Sequence, residues 1–367
     1  MLMQWLPVTF ICVVSYLTTS LLVPLAHKVR LLDIPQGRKD HAGNIPLVGG
    51  ISIYISVILS SAIFCDLNTQ LMGLMSLGGL ITLVGTLDDK YDLPAKFRLW
   101  IQILAGIALA SGIGISLSSL GNLFGLGNIG LGIATIPVTA IAIAGITNAY
   151  NMTDGIDGLA GSMSLIAILG LLVLTYPTAS DSEINLLSFM AASLAVFLLF
   201  NLQIIPSTHE KIFLGDAGSM FMGFTIAGLM IYFSQGENAA FTPATALWLV
   251  AVPLIDMIST MVRRILKKQS PFVADKTHLH HILVKGGLSR RQALVSLIIY
   301  GGTCASIGGA LSSAPSYFSA ALFIVLFLCH LYAFRHAYKA SKQIKRLIVI
   351  TRGLSNKLLN WTKSINN

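Results

Sequence analysis

Charge is what this sequence has least of. Only 11% of its 367 residues are Asp, Glu, Lys or Arg, and 54% are hydrophobic, whereas about a quarter of a soluble domain is charged. Most apolar segments also lack the polar face that a soluble helix needs. With a mean hydropathy of +0.77, the first reading is a polytopic membrane protein. Cysteine is scarce: Cys12, Cys65, Cys304 and Cys329 fall in apolar runs, and no pair has metal-ligand spacing, so they read as small core or lipid-facing residues. The first apolar segment, Gln4 to Ala26, has no basic flank before it and is too long for the core of a signal peptide, so it reads as a retained membrane helix. No internal repeat stands out.

The fold class expected is all-α, with eleven transmembrane helices at 4–26, 47–65, 69–87, 99–117, 133–150, 159–177, 185–206, 217–234, 243–261, 292–311 and 317–334. A crossing helix needs roughly 20 apolar residues, and interrupting Gly and Pro are tolerated. Eleven spans define two alternating sets of loops. One set comprises 27–46, 88–98, 151–158, 207–216, 262–291 and the tail from Arg335, and it contains all 24 Lys and Arg residues. The other set contains none, and holds Asp66, Asp181, Glu183 and Glu237. The positive-inside rule puts the basic set in the cytoplasm, with the N-terminus outside and the C-terminus inside. The net charge of +9 thus belongs to the cytoplasmic face and draws it to anionic lipid headgroups. Spread over short membrane loops, it does not point to nucleic acid.

The polar signatures share that face. They are "DDKYDLPAKFR" (88–98), "NAYNMTDGIDG" (148–158), "KIFLGDAGS" (211–219) and the segment after the ninth span, which holds "SPFVADKTHLHH" (270–281). Asp88, Asp89, Asp92, Asp154, Asp157 and Asp216 are hard oxygen donors and, with Asn148 and Asn151, suit Mg²⁺ or Mn²⁺. Lys96, Arg98, Arg263, Arg264, Lys267 and Lys268 suit phosphate oxygens. Phosphoryl transfer needs this set, because positioning and charge neutralisation do most of its work. Each part also has a plainer reading. An Asp pair is usually a solvated loop. "NMTDGIDG" lacks the twelfth-position Glu of a calcium loop. "HLHH" lacks thiolates and helical His spacing for zinc. Asp256, near the inner end of the ninth span, is a functional candidate, or a partner for Arg263 or Arg264.

In this order, with "IPLVGG" (45–50) ahead of them, these motifs resemble the polyprenyl-phosphate N-acetylhexosamine-1-phosphate transferases, from the first span to the last. The histidine run, with Leu279 between His278 and His280-His281, is most similar to the bacterial GlcNAc-1-phosphate branch; the peptidoglycan branch has three consecutive histidines. The resemblance implies UDP-GlcNAc as donor, undecaprenyl phosphate as acceptor, Mg²⁺ (or Mn²⁺) as cofactor, and a homodimer. The product, GlcNAc-diphospho-undecaprenol, would begin O-antigen, enterobacterial common antigen or a related lipopolysaccharide-type polymer at the bacterial inner membrane. By the same resemblance Asp216 holds the metal, with Asn151 as a second ligand. Asp154 and Asp157 shape the nucleotide and metal pocket, Asp88 and Asp89 lie near the reacting phosphates, and Asp88 is the candidate base. Lys96 and Arg98 hold phosphate, with Asn148 beside them as a substrate contact. Arg263, Arg264, His278, His280 and His281 close over sugar and diphosphate. Residues 1–334 then form the transferase domain and 335–367 a basic tail. The rivals are a MurNAc-pentapeptide transferase within the family and, in another class, a secondary transporter.

Overall fold

A computed structural model describes residues 2–35, 43–204, 210–237, 239–270 and 278–335. The tail expected at 335–367 lies almost wholly outside them, as does most of the stretch before His278. Thirteen α-helices are described: α1 (Leu2–Val29), α2 (Gly49–Phe64), α3 (Thr69–Tyr91), α4 (Ala95–Ala108), α5 (Thr135–Thr153), α6 (Leu159–Thr175), α7 (Asp181–Asn201), α8 (Gly215–Ser234), α9 (Pro243–Leu249), α10 (Ala251–Leu266), α11 (Leu279–Lys285), α12 (Arg290–Ala310) and α13 (Ser316–Arg335). Among the described residues, strand pairing is confined to a two-residue ladder, Leu32–Asp33 with Ile45–Pro46, and one isolated bridge between Ser119 and Gly130. The chain is an all-α, multi-pass membrane protein.

Among the described residues, seven helices are long and apolar enough to cross a membrane, or eight if the bent pair α9–α10 is one span. Three expected spans, 47–65, 159–177 and 317–334, form shorter apolar helices. The expected single span at 243–261 is corrected: α9 and α10 meet at an 85° bend. Pro253 explains it. It lacks the N–H that would bond to the carbonyl of Leu249, and its ring crowds that carbonyl, so the helix breaks at Val250.

The bundle is built around α8. Protein buries 94% of its membrane window, against 17% for α1. Between lipid-immersed helices the attraction is largely van der Waals, and small residues let backbones approach. Glycines do this on three sides of α8. A Cβ at Gly50 would lie 2.1 Å from the nitrogen of Gly218, one at Gly85 2.5 Å from Cα of Ala217, and one at Gly223 2.7 Å from Cα of Thr147. The larger side chains of α8 fill the spaces between; Phe221 stands edge-on to Tyr54 with centroids 5.4 Å apart.

The "IPLVGG" stretch fixes where α8 begins. Phe213 donates its N–H to the carbonyl of Pro46 (2.9 Å), and Gly49 and Gly50 donate to the carbonyls of Phe213 and Leu214 (3.0 and 2.9 Å). Two motifs more than 160 residues apart in sequence thus form one backbone unit. Capping boxes at Ser180–Glu183 and Ser289–Gln292 start α7 and α12.

Candidate active site

The expected loops at 88–98 and 151–158 are mostly helix ends. Asp88 and Asp89 lie in the last turns of α3, Lys96 and Arg98 in the first turn of α4, and Asn151 in the last turn of α5. Only 92–94 and 154–158 are non-helical. Asp216 lies in the first turn of α8. Polar residues at these junctions interrupt hydropathy without interrupting helix, because water can satisfy them at the membrane surface.

Asp88 is buried, and its carboxylate organises the α3–α4 turn. It accepts from the N–H of Leu93 (2.8 Å) while its own carbonyl accepts from Asp92 (2.8 Å), which adopts left-handed backbone at φ +53°. It also pairs with Arg98. The same Nη1 of Arg98 reaches Asp216 at 3.1 Å, so one guanidinium joins the carboxylates of α3 and α8. On its other oxygen Asp216 accepts from Nδ2 of Asn151 at 2.7 Å, and that amide also donates to Ser219 at 3.1 Å.

Asp89 is committed differently. Its two oxygens accept from the backbone N–H groups of Asp216 (2.8 Å) and Ala217 (3.1 Å). It is a cap delivered from another helix to the positive end of α8. Gly215 makes room for it: its φ is +74°, and a Cβ there would lie 2.5 Å from Oδ2 of Asp89.

The α5–α6 turn carries Asp154 and Asp157. Asp157 accepts from Lys211 at 2.7 Å. Asp154 keeps an edge open to solvent, yet protein atoms crowd it; that desolvation first, then the carboxylates of Asp216 and Asp157, push its carboxyl up to about 7. Asn148 donates to Gln102 and to the carbonyl of Ala144 (2.7 Å), tying α5 to α4. Lys96 is exposed. Arg263 and Arg264 end α10, where Arg264 is buried and Arg263 borders an apolar groove with Leu266, Leu328, Leu331 and Tyr332.

The histidines form a short stack. His278 and His280 are parallel, with centroids 5.9 Å apart and planes within 4°; His280 and His281 lie 4.1 Å apart. His280 is buried, with Nε2 against Gly155, where a Cβ would lie 2.3 Å away. Burial first, then the neighbouring His281, hold its imidazole down at about 3, so it is neutral. Asp256, read from sequence as a functional candidate or a partner for Arg263 or Arg264, accepts from the N–H of Leu279 (2.8 Å) and lies 3.0 Å from Nδ1 of His278.

Residues 71–234 match the model of a family described as Glycosyl transferase family 4. The undecaprenyl-phosphate alpha-N-acetylglucosaminyl 1-phosphate transferase of Yersinia pestis is 37% identical over 325 residues, covering 88% of this chain and 89% of that protein. The enzyme of the same name from Escherichia coli K12 is 35% identical over 326 residues, with the same coverage. That from Haemophilus influenzae is 34% identical over 336 residues, 91% and 94% of the two chains. The chain belongs to the polyprenyl-phosphate N-acetylhexosamine-1-phosphate transferase family. The matched segment of this transferase holds every carboxylate of the cluster, Asp88, Asp89, Asp154, Asp157 and Asp216, but neither Asp256 nor the histidines.

Among the described residues of the transferase, no three His, Cys, Asp or Glu side chains converge as a ready-made metal cage. Mg²⁺ does not need one, since it is commonly held by one or two carboxylates and completed by substrate phosphates and water. Asp154, Asp157 and Asp216 are hard oxygen donors of the kind such a cation takes, and burial first, then the other two carboxylates, raise Asp154. Three contributors were not singled out from sequence: Lys211, Gln102 and Ser219. Gln102, a polar residue on a membrane helix one turn after Arg98, carried the one usable signal.

Proposed function

We propose that this chain transfers GlcNAc-1-phosphate from UDP-GlcNAc to undecaprenyl phosphate, releasing UMP and leaving GlcNAc-diphospho-undecaprenol in the membrane. One observation carries the reading: the three carboxylate segments of the family model are joined side chain to side chain at one end of the bundle, through Arg98 and Asn151 meeting at Asp216. The names of the relatives supply the substrates. They favour neither the MurNAc-pentapeptide nor the transporter reading.

In the proposed chemistry a phosphate oxygen of the lipid attacks the β-phosphorus of the donor. The bond from that phosphorus to the bridging oxygen breaks, and UMP leaves with the electron pair. The sugar C1–O bond is untouched, so the α configuration is kept. A phosphate monoester has a second pKa near 6, so the lipid is mostly dianionic at neutral pH and needs no base. Asp88 then holds Arg98 and the α3–α4 turn, and steers the anionic nucleophile. Asp89 fixes the start of α8, and with it Asp216. Asp216, with Asn151 and the Asp154–Asp157 turn, would hold Mg²⁺ or Mn²⁺, which would neutralise charge on the donor diphosphate. Lys96, Arg98, Arg263 and Arg264 supply phosphate contacts, and the histidine segment closes the site.

The distribution of Lys and Arg supports a cytoplasmic site in the bacterial inner membrane. The proposed product would begin O-antigen, enterobacterial common antigen or a related polymer. The test is membranes supplied with radiolabelled UDP-GlcNAc, undecaprenyl phosphate and Mg²⁺. Butanol-soluble label with UMP supports the reading; UDP as the released nucleotide, or no lipid product, overturns it.

A further inference from the structure

The histidine segment lies outside the matched family segment, and most of the chain connecting it to α10 lies outside the described residues. Its helix, α11, packs on α12 and buries Ile282, and its start meets one carboxylate within the bundle. Asp256 on α10 is 5% exposed. Both its oxygens face α11: Oδ1 accepts from the N–H of Leu279, at the first position of that helix, and Oδ2 lies 3.0 Å from Nδ1 of His278. His278 is 6% exposed. An ionised carboxylate only accepts, so the hydrogen between Oδ2 and Nδ1 belongs to the imidazole, and in the neutral ring this is the Nδ1–H tautomer. A buried carboxylate without partners would be costly; two donors from the same short segment meet that need and clamp the segment in one register. From there the order of contacts runs outward. His278 stacks on His280, and Nε2 of His280 rests on Gly155, between Asp154 and Asp157.

We propose that Asp256 is a positioning residue of the transfer reaction: from inside the bundle it sets the tautomer and orientation of His278 and the start of α11, and so seats the histidine segment against the Asp154–Asp157 turn. The inference rests on the function proposed above. It gives Asp256 no contact with substrate.

Asp256→Asn is the discriminating change. Asn has the shape of Asp but offers one acceptor and one donor to two donors. It is satisfied only if Oδ1 takes the Leu279 N–H and Nδ2 donates to Nδ1 of His278, which forces the Nε2–H tautomer. The protein is ¹⁵N-labelled at histidine, and His278 is assigned by difference against His278→Gln. Asp256→Asn is expected to move His278 from Nδ1–H to Nε2–H and to lower kcat on the order of a hundredfold, the scale of a 1 Å misplacement. KM for UDP-GlcNAc should stay within about threefold, because the fault is one of orientation at the reacting centre. Combined with His278→Gln, its cost should not multiply: the double variant should be no slower than the slower single one. Unchanged turnover, an unchanged tautomer or multiplying effects would overturn the proposal. So would a rate loss matched by an equal loss of folded protein. If Asp256→Asn fails to fold, His278→Gln alone must reproduce the kcat loss with KM retained, and normal turnover there overturns the proposal as well. Wild-type protein that releases no UMP contradicts the proposed function instead, while the tautomer measurement still judges the clamp.

Discussion

Changing Asp89 to Asn separates a structural carboxylate from its neighbour Asp88. Asp89 receives two N–H groups at the start of α8, at 2.8 and 3.1 Å. A hydrogen bond to a charged group is worth about 1.5–3 kcal/mol and one between neutral groups about 0.5–1.5. Asn keeps one such bond, weakened by about 1 kcal/mol. Its amide nitrogen then faces the second N–H, leaving a half-buried donor unsatisfied at about 1–3 kcal/mol. Loss of the charge from the helix N-terminus adds about 0.3–1 kcal/mol. The total is about 2–5 kcal/mol, concentrated where α8 positions Asp216. Unfolding of a membrane protein in detergent is commonly irreversible, so the observable is the half-life of soluble protein at fixed elevated temperature. Asp89→Asn should shorten that half-life severalfold or more. Asp88→Asn should shorten it less, since the acceptor for Leu93 survives. An Asp89→Asn protein as heat-resistant as wild type but inactive would refute the capping argument and return Asp89 to the reacting phosphates.

Three further outcomes follow from the site. Asp216→Asn should leave heat resistance nearly unchanged and lower turnover a hundredfold or more, since charge neutralisation by a metal is worth several kcal/mol; turnover near normal at low Mg²⁺ would remove Asp216 from the metal site. His280 has its pKa lowered to about 3 from an ordinary 6.5, so between those values the unfolded chain binds the extra proton and stability falls as pH falls. Heat resistance should therefore drop between pH 7 and pH 5, and His280→Gln should flatten the drop; an equal slope in both proteins would contradict it. Single cysteines at Asp181 and Lys267, in a cysteine-free background, should react with an impermeant thiol reagent in intact cells and only after lysis, respectively. Labelling of both from outside would overturn the proposed topology.

The frame was legible in the sequence because hydropathy and the one-sided placement of Lys and Arg are local, additive signals. Each expected span holds helix, though only seven or eight among the described residues are long and apolar enough to cross, and the 88–98, 148–158 and 211–219 motifs meet at Asp216. What stayed hidden depends on contacts between distant residues. Spacing says nothing of Asp89 reaching 127 residues along the chain to cap α8, or of Asn148 donating to Gln102. Nor does it disclose that Asp256 meets His278 and Leu279, 22 and 23 residues later. Hydropathy also counts apolar length without direction, so Pro253 passed inside an apparent single span. Helix ends at the membrane surface are polar because water serves them, which made the ends of α3 and α5 look like loops.

The most direct test of the central claim follows two atoms at once. Purified protein is given undecaprenyl phosphate, Mg²⁺ and UDP-GlcNAc carrying ³H in the sugar and ³²P at the β-phosphorus. The account expects both labels in the lipid product at a constant one-to-one ratio, with unlabelled UMP released in equal amount. Tritium entering lipid without ³²P, and labelled UDP left in solution, would mean attack at the sugar carbon and would contradict it.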